Sequence, residues 1–190
     1  MVWKNDQVSK LETEKILELA KEALSMPGDF VEMGCYKGDT SLALADVLKH
    51  SAKKLWLYDS FEGLPEKSSE DESALGVDFK GGELYTTKRE LKERFLRANT
   101  KLPIIKKAWF SELSAEDLPD KIAFCFLDGD LYESIRDSLK LVQDKMEEGG
   151  ILIIHDYNNP ALPGVAKAVN EWLKEQNIEV FQSMVIIRNN

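Results

Sequence analysis

The chain has little of what staples or punctuates a small domain: two cysteines, six prolines and eleven glycines among 190 residues. Two cysteines cannot build a disulfide framework. Cys35 and Cys125 both fall in apolar, sheet-proximal positions, so they are expected to be free buried thiols in a reducing cytoplasm. No apolar run approaches membrane-spanning length, and the opening MVWKNDQVSK has no signal-peptide core, so no membrane partner is expected. Basic residues are outnumbered, 25 Lys and Arg against 34 Asp and Glu. The resulting formal charge of -9 argues against a nucleic-acid backbone as substrate. No GxGxxG and no Gly-Lys-Ser/Thr phosphate loop occurs either.

What the chain does contain is concentrated in Ile122 to Ser134, IAFCFLDGDLYES. The run Ile122 to Leu127 is wholly apolar and reads as a strand buried on both faces, as in a parallel sheet. It breaks into Asp128-Gly129-Asp130, and helical spacing resumes at Leu131. Asp and Gly are poor strand formers, and acids packed this closely repel unless they share a cation or a proton. In open α/β sheets the carboxyl edge is where ligands bind. Asp130 is also expected to serve in part as N-cap of the following helix.

Ser9 and Glu12 have the spacing of a capping box, opening a helix to about Leu24 with Leu11, Ile16, Leu19 and Ala23 on its inner side. Pro27-Gly28 closes this N-terminal segment, residues 1–27. Asp29 to Glu32 starts the first strand, which runs into a Gly34- and Gly38-containing turn and a helix starting near Thr40 or Ser41. That is the geometry of a nucleotide-type cofactor loop, though a tight turn without ligand has the same pattern. A second strand, Lys54 to Tyr58, ends in Asp59 about twenty residues after the turn, the spacing of a ribose-binding acid. An Asx-turn is the plainer reading of the same residue.

Residues 62–102 are irregular and acidic, an insertion long enough to be a lid, with a helix capped at Thr87 and Glu90. Ile104 to Phe110 reads as a third strand and turn, in which Trp109 and Phe110 can flank an adenine or sit in the core. Glu112 to Leu118 is expected as a short helix, and Ser134 to Met146 as a longer one stopped by Gly149-Gly150. A fifth strand, Ile151 to Ile154, ends in His155-Asp156-Tyr157. Strands ending in Asp128/Asp130 and His155/Asp156 suit a divalent metal. Pro163-Gly164 opens the last helix, and Ile178 to Phe181 with Ser183 to Ile187 form a terminal hairpin. His50, in a basic exposed patch, is given no catalytic role. The alternation predicts one doubly wound α/β domain over residues 1–190 with a C-terminal antiparallel hairpin.

In order along the chain, GDFVEMGCYKGDTS, LWLYDSFEGLP, FLDGDLYES and GGILIIHDY…PGVAKAV together resemble the S-adenosylmethionine-dependent macrocin O-methyltransferase family. The resemblance spans roughly Gly28 to Trp172. It implies a Rossmann-like class I methyltransferase sheet, mostly parallel and seven-stranded, and methylation of a sugar-like hydroxyl. By the same resemblance Glu32, Gly34, Gly38 and Ser41 form the cofactor loop, Asp59 with Ser60 holds the ribose, Trp109 lies by the adenine and Asp128 borders the cofactor. Asp128 and Asp156 would ligate Mg²⁺, and Asp130 would act as base. His155 stands where the family usually has Asp, so it is expected either as ligand to Mn²⁺, Fe²⁺, Co²⁺ or Zn²⁺ or as base. The family suggests homodimers and more sequence before the first helix. A nicotinamide-dinucleotide reductase and a non-catalytic cofactor-binding homologue are the competing expectations.

Overall fold

The computed structural model describes residues 7–76, 79–173 and 178–189. Seven strands form one sheet in the order β3-β2-β1-β4-β5-β7-β6. In chain order these are β1 (Asp29–Met33), β2 (Leu55–Asp59), β3 (Ile104–Lys107), β4 (Ile122–Leu127), β5 (Met146–Ile154), β6 (Ile178–Phe181) and β7 (Met184–Arg188). Pairing is parallel through β3, β2, β1, β4 and β5, whereas β7 runs antiparallel to both β5 and β6. This is the doubly wound sheet with terminal hairpin that the alternation of elements predicts. Among the described residues, no helix is long and apolar enough to cross a membrane.

Strand alternation divides the core in two. Phe124 and Phe126 of β4 face α1 (Lys10–Glu22), α2 (Asp39–Val47) and α3 (Lys88–Arg97), where they meet Ile16, Leu42 and Phe95. Cys125 and Leu127 face the other side, against Ile135 and Leu139 of α4 (Tyr132–Val142) and Val165 and Val169 of α5 (Pro163–Trp172). Full burial of a side chain of this size contributes about 1.5–3 kcal/mol, which is why every β4 residue can be apolar. Both cysteines are free and buried, and burial raises both thiols well above their usual range, leaving them unreactive.

Four local expectations are corrected. The Ser9–Glu12 capping box forms, but Leu11 is 57% exposed and Glu12 turns inward instead. Glu12 does so because the β6–β7 turn donates to it: the Ser183 N–H at 3.0 Å and the Ser183 hydroxyl at 2.5 Å. In place of a helix over 112–118 there are two short 3₁₀ turns, Phe110–Glu112 and Ala115–Asp117, each closed by a local acid rather than extended by apolar periodicity. Gly149-Gly150 do not stop a helix. α4 ends at Val142, and β5 starts at Met146 and passes through both glycines, with its register against β4 shifting across them. Finally, Asp130 is not an N-cap. That position is Leu131, and the acceptor at the head of α4 comes from far away: the Tyr132 N–H donates to Asp71 Oδ1 at 2.7 Å.

Asp71 belongs to the irregular insertion and is 1% exposed. Its other oxygen accepts from the Ser68 N–H (3.1 Å) and hydroxyl (2.7 Å). Ser73 donates to Pro160 O, and Lys167 pairs with Glu70. Residues 68–73 are thereby pinned across α4 and α5.

Candidate active site

The chain order reverses between β1, which continues outward to β2, and β4, which continues the other way to β5. A crevice opens beyond the carboxyl ends of strands at such a reversal. Here three ladder bonds continue past the strands and align their tips. Gly34 N–H donates to Tyr58 O (2.9 Å), Asp128 N–H to Met33 O (2.8 Å) and His155 N–H to Leu127 O (2.9 Å). The resulting cleft spans about 910 Å³, counting the space at its mouth that is open to solvent. Glu32, Gly34, Gly38, Asp59, Ser60, Trp109, Asp128, Asp130, His155 and Asp156 all line it.

The turn after β1 is held from three sides. Gly34 has φ +89°, and a Cβ there would lie 1.9 Å from the Asp128 carbonyl oxygen, so only glycine lets the turn approach the DGD segment. Gly38 has φ +82° and packs under Leu91 of α3. From the same helix Arg94 reaches down to Lys37 O and to Asp39, the latter at 2.5 Å. Beneath the turn Glu32 is 1% exposed, and its Oε2 has no hydrogen-bond partner. Burial, then the nearby Asp128, Asp59 and Asp39, raise its carboxyl well above the usual range, and Ser41 opposes this only in part. Ser41 itself does not line the cleft: it is fully buried under the turn, beside Glu32.

Asp59 is heavily engaged. Its Oδ2 accepts from the N–H groups of Cys35 and Tyr36, both at 3.0 Å, and its Oδ1 accepts from Phe61 N–H at 2.7 Å, an Asx-turn. The Ser60 hydroxyl donates to Gly63 O at 3.0 Å. Both residues border the cleft, and both also fix its rim.

The opposite wall carries the acid–base groups. His155 Nδ1 lies 3.0 Å from Asp128 Oδ1 and 3.0 Å from Asp156 Oδ2. Burial alone would lower the imidazole's pKa, but the Asp128 and Asp156 carboxylates outweigh it and raise the pKa to about 11. Asp130 retains part of its exposure. The surrounding protein, then Asp128 and Asp156, nevertheless raise it well above the ordinary carboxylate range. Strain collects here too. Tyr36, Leu84, Asp130 and Asp156 all line the cleft with positive φ, a conformation that costs a non-glycine residue on the order of 1–3 kcal/mol.

Asp128, His155 and Asp156 each offer one ligand atom, all within 4.8 Å of one another. An ion with bonds of about 2.1 Å at right angles would separate neighbouring ligands by about 3.0 Å; His155 Nδ1 stands at that distance from each carboxylate, which is also the distance of an ordinary hydrogen bond. The donor set of one imidazole and two carboxylates suits Mn²⁺, Fe²⁺, Co²⁺ or Zn²⁺ better than Mg²⁺. The residue types therefore suit a divalent metal.

Tyr36, Gly63, Leu64 and Pro65 line the cleft within the quoted motifs but were given no role from the sequence, and Leu84 of the insertion carried no signal there. Arg94 and Glu12 lie outside the lining, and their contacts toward the site, to Asp39 and His155, run to partners distant in sequence.

The comparisons with known proteins bear on the family and the fold. A relative in Streptomyces olivaceus, 8-demethyl-8-(2,3-dimethoxy-alpha-L-rhamnosyl)-tetracenomycin-C 4'-O-methyltransferase, is 29% identical over 155 residues, 77% of this chain and 58% of its own length. Demethyldecarbamoylnovobiocin O-methyltransferase from Streptomyces niveus is 26% identical over 78% of this chain and 59% of its own length. The chain thus spans about three fifths of the length of these relatives. Among solved structures, the O-methyltransferase NovP superposes with a TM-score of 0.81 at 24% identity, covering 93% of this chain and 78% of that one. The calicheamicin methyltransferase CalS11 gives 0.77 at 17% identity, covering 95% and 80%. At these identities the two structures speak for the fold alone. The model of the Macrocin-O-methyltransferase (TylF) family matches residues 8–186, nearly the whole chain, and the protein belongs to that family.

Proposed function

We propose that the chain is an S-adenosylmethionine-dependent O-methyltransferase that methylates a hydroxyl of a sugar or similar small molecule, with a divalent metal held by Asp128, His155 and Asp156. One observation carries the reading: the glycine turn after β1 and the Asp128–Asp130–His155–Asp156 group form the two walls of a single cleft. The relatives' names, which specify O-methylation of a rhamnosyl-tetracenomycin and of demethyldecarbamoylnovobiocin, support the acceptor class.

S-adenosylmethionine brings a methyl group already activated on a sulfonium, so the protein's task is alignment and proton removal. Glu32, the Gly34–Gly38 turn, Asp59, Ser60 and Trp109 form the cofactor wall, and Leu64, Pro65 and Leu84 close the acceptor side against water. Fixing two reactants in line can supply several kcal/mol of the barrier reduction, about 7–11 in favourable cases. The chemistry a divalent ion supplies at Asp128, His155 and Asp156 is Lewis acidity, which lowers a hydroxyl's pKa. Asp130 is the base: it lines the cleft beside Asp128, and it takes the acceptor's proton as the oxygen takes the methyl carbon and the carbon–sulfur electron pair stays on sulfur.

The test is thermal stability with S-adenosylhomocysteine, NAD⁺ or NADP⁺, each with and without Mn²⁺ or Mg²⁺. A ligand at a hundred times its Kd adds about 2.7 kcal/mol. A shift with S-adenosylhomocysteine is the expected result; silence there with a response to a dinucleotide would refute the methyltransferase reading. Asp128→Ala should abolish turnover while cofactor binding persists, and loss of cofactor binding instead would show that Asp128 has another role.

A further inference from the structure

We infer that Glu12, on the N-terminal helix, is the positioning residue for His155, holding the imidazole with Nδ1 turned to Asp128 and Asp156; this rests on reading those three residues as the metal site. The His155 side chain is 6% exposed, and its Nε2 is fully buried with no hydrogen-bond acceptor. Facing Nε2 at 3.8 Å is Glu12 Oε2, longer than a hydrogen bond but within ion-pair reach. If Nδ1 gives its lone pair to a cation, the ring's proton must sit on Nε2. A ligating histidine ordinarily directs that second N–H at a carboxylate, carbonyl or water, which fixes tautomer and orientation. Here the carboxylate is supplied by an element outside the sheet.

Glu12 is unusually well fixed for that purpose. Oε1 accepts from Ser183 N–H (3.0 Å) and hydroxyl (2.5 Å), and Oε2 accepts from Ser9 N–H at 3.0 Å. The head of α1 and the β6–β7 turn thus hold the acid in place, and Phe126 flanks the imidazole with ring centroids 6.1 Å apart. A capping box needs Glu12 only at Ser9; burying its carboxylate at 4% exposure against a buried imidazole goes beyond capping.

The experiment titrates Mn²⁺ into the full chain and counts free ion by its electron paramagnetic resonance signal. Glu12→Gln should weaken Mn²⁺ binding by about 10–100-fold, the usual effect of losing an outer-shell partner. Ser183→Ala, which removes a hydrogen bond to Glu12 but keeps the carboxylate, should leave binding within about threefold. Equal losses in the two variants, or unchanged binding in Glu12→Gln, would overturn the role of Glu12 while leaving the metal site standing. Wild-type chain that takes up no Mn²⁺ would overturn both, and S-adenosylhomocysteine binding would then report separately on the cofactor. Should Glu12→Gln fail to melt cooperatively, Glu12→Asp, with the charge on a shorter stem, should still lose about threefold or more, and unchanged binding there overturns the role equally.

Discussion

Replacing Asp71 with alanine isolates what the insertion does for the fold. Three donors converge on this carboxylate: the first amide of α4 and both polar groups of Ser68. Losing the cap at Tyr132 costs about 1 kcal/mol, and leaving buried donors unpaired adds about 1–3 kcal/mol. The sum is about 2–4 kcal/mol. In a chain of this size each kcal/mol moves the melting temperature about 2–4 °C, so a drop of roughly 5–15 °C is expected. Ser68→Ala, which removes one hydroxyl donor, should cost only about 1 kcal/mol. Thermal or urea melts measure both, and hydrogen exchange at the Tyr132 amide adds a local readout: its protection should fall in Asp71→Ala beyond the global change. Limited proteolysis should in parallel open the insertion near residues 65–76. An Asp71→Ala melting temperature within about 1 °C of wild type, with Tyr132 protection intact, would refute the cap and the pinning together.

Gly34→Ala combines a disfavoured positive φ with a Cβ driven into Asp128 O. It should lower stability by at least about 1–2 kcal/mol and weaken S-adenosylhomocysteine binding in isothermal titration; unchanged binding would detach this turn from the cofactor. Acid stability tests Glu12. Its burial would raise the carboxyl, but hydrogen bonds from Ser183 and Ser9 outweigh that and depress the pKa from 4.5 to about 2. A depressed acid stabilises the fold above its unfolded pKa and loses that contribution as pH falls through the folded one. The stability gap between wild type and Glu12→Gln, read by urea melts, should therefore be full above about pH 4.5 and shrink toward pH 2; a gap constant with pH would refute it.

The sheet was legible because each strand carries its own signal. β4 is uniformly apolar, and the acids and glycines at the strand tips stand out against it. Those signals put Asp128, Asp130, His155 and Asp156 at the strand tips, and all four line one cleft. Illegible was whatever depends on a partner distant in sequence. Ser9 and Glu12 predict a cap, and nothing local says that Ser183 will draw Glu12 inward and leave Leu11 in water. Asp71 reads as one more acid in a solvated run until α4 is set beside it. Gly149-Gly150 read as a stop because the bulge that admits them into β5 is decided by β4, not by their neighbours.

The clasp between Glu12 and Ser183 joins positions 171 residues apart. On a ribosome making about 5–20 residues per second, the acid waits on the order of ten seconds or more for its donors. β1, β2 and β4 can pair in that interval, but the imidazole's backing is incomplete until the hairpin is synthesised and docked. Where the proposed ion binds, its uptake is therefore expected only after the hairpin has docked.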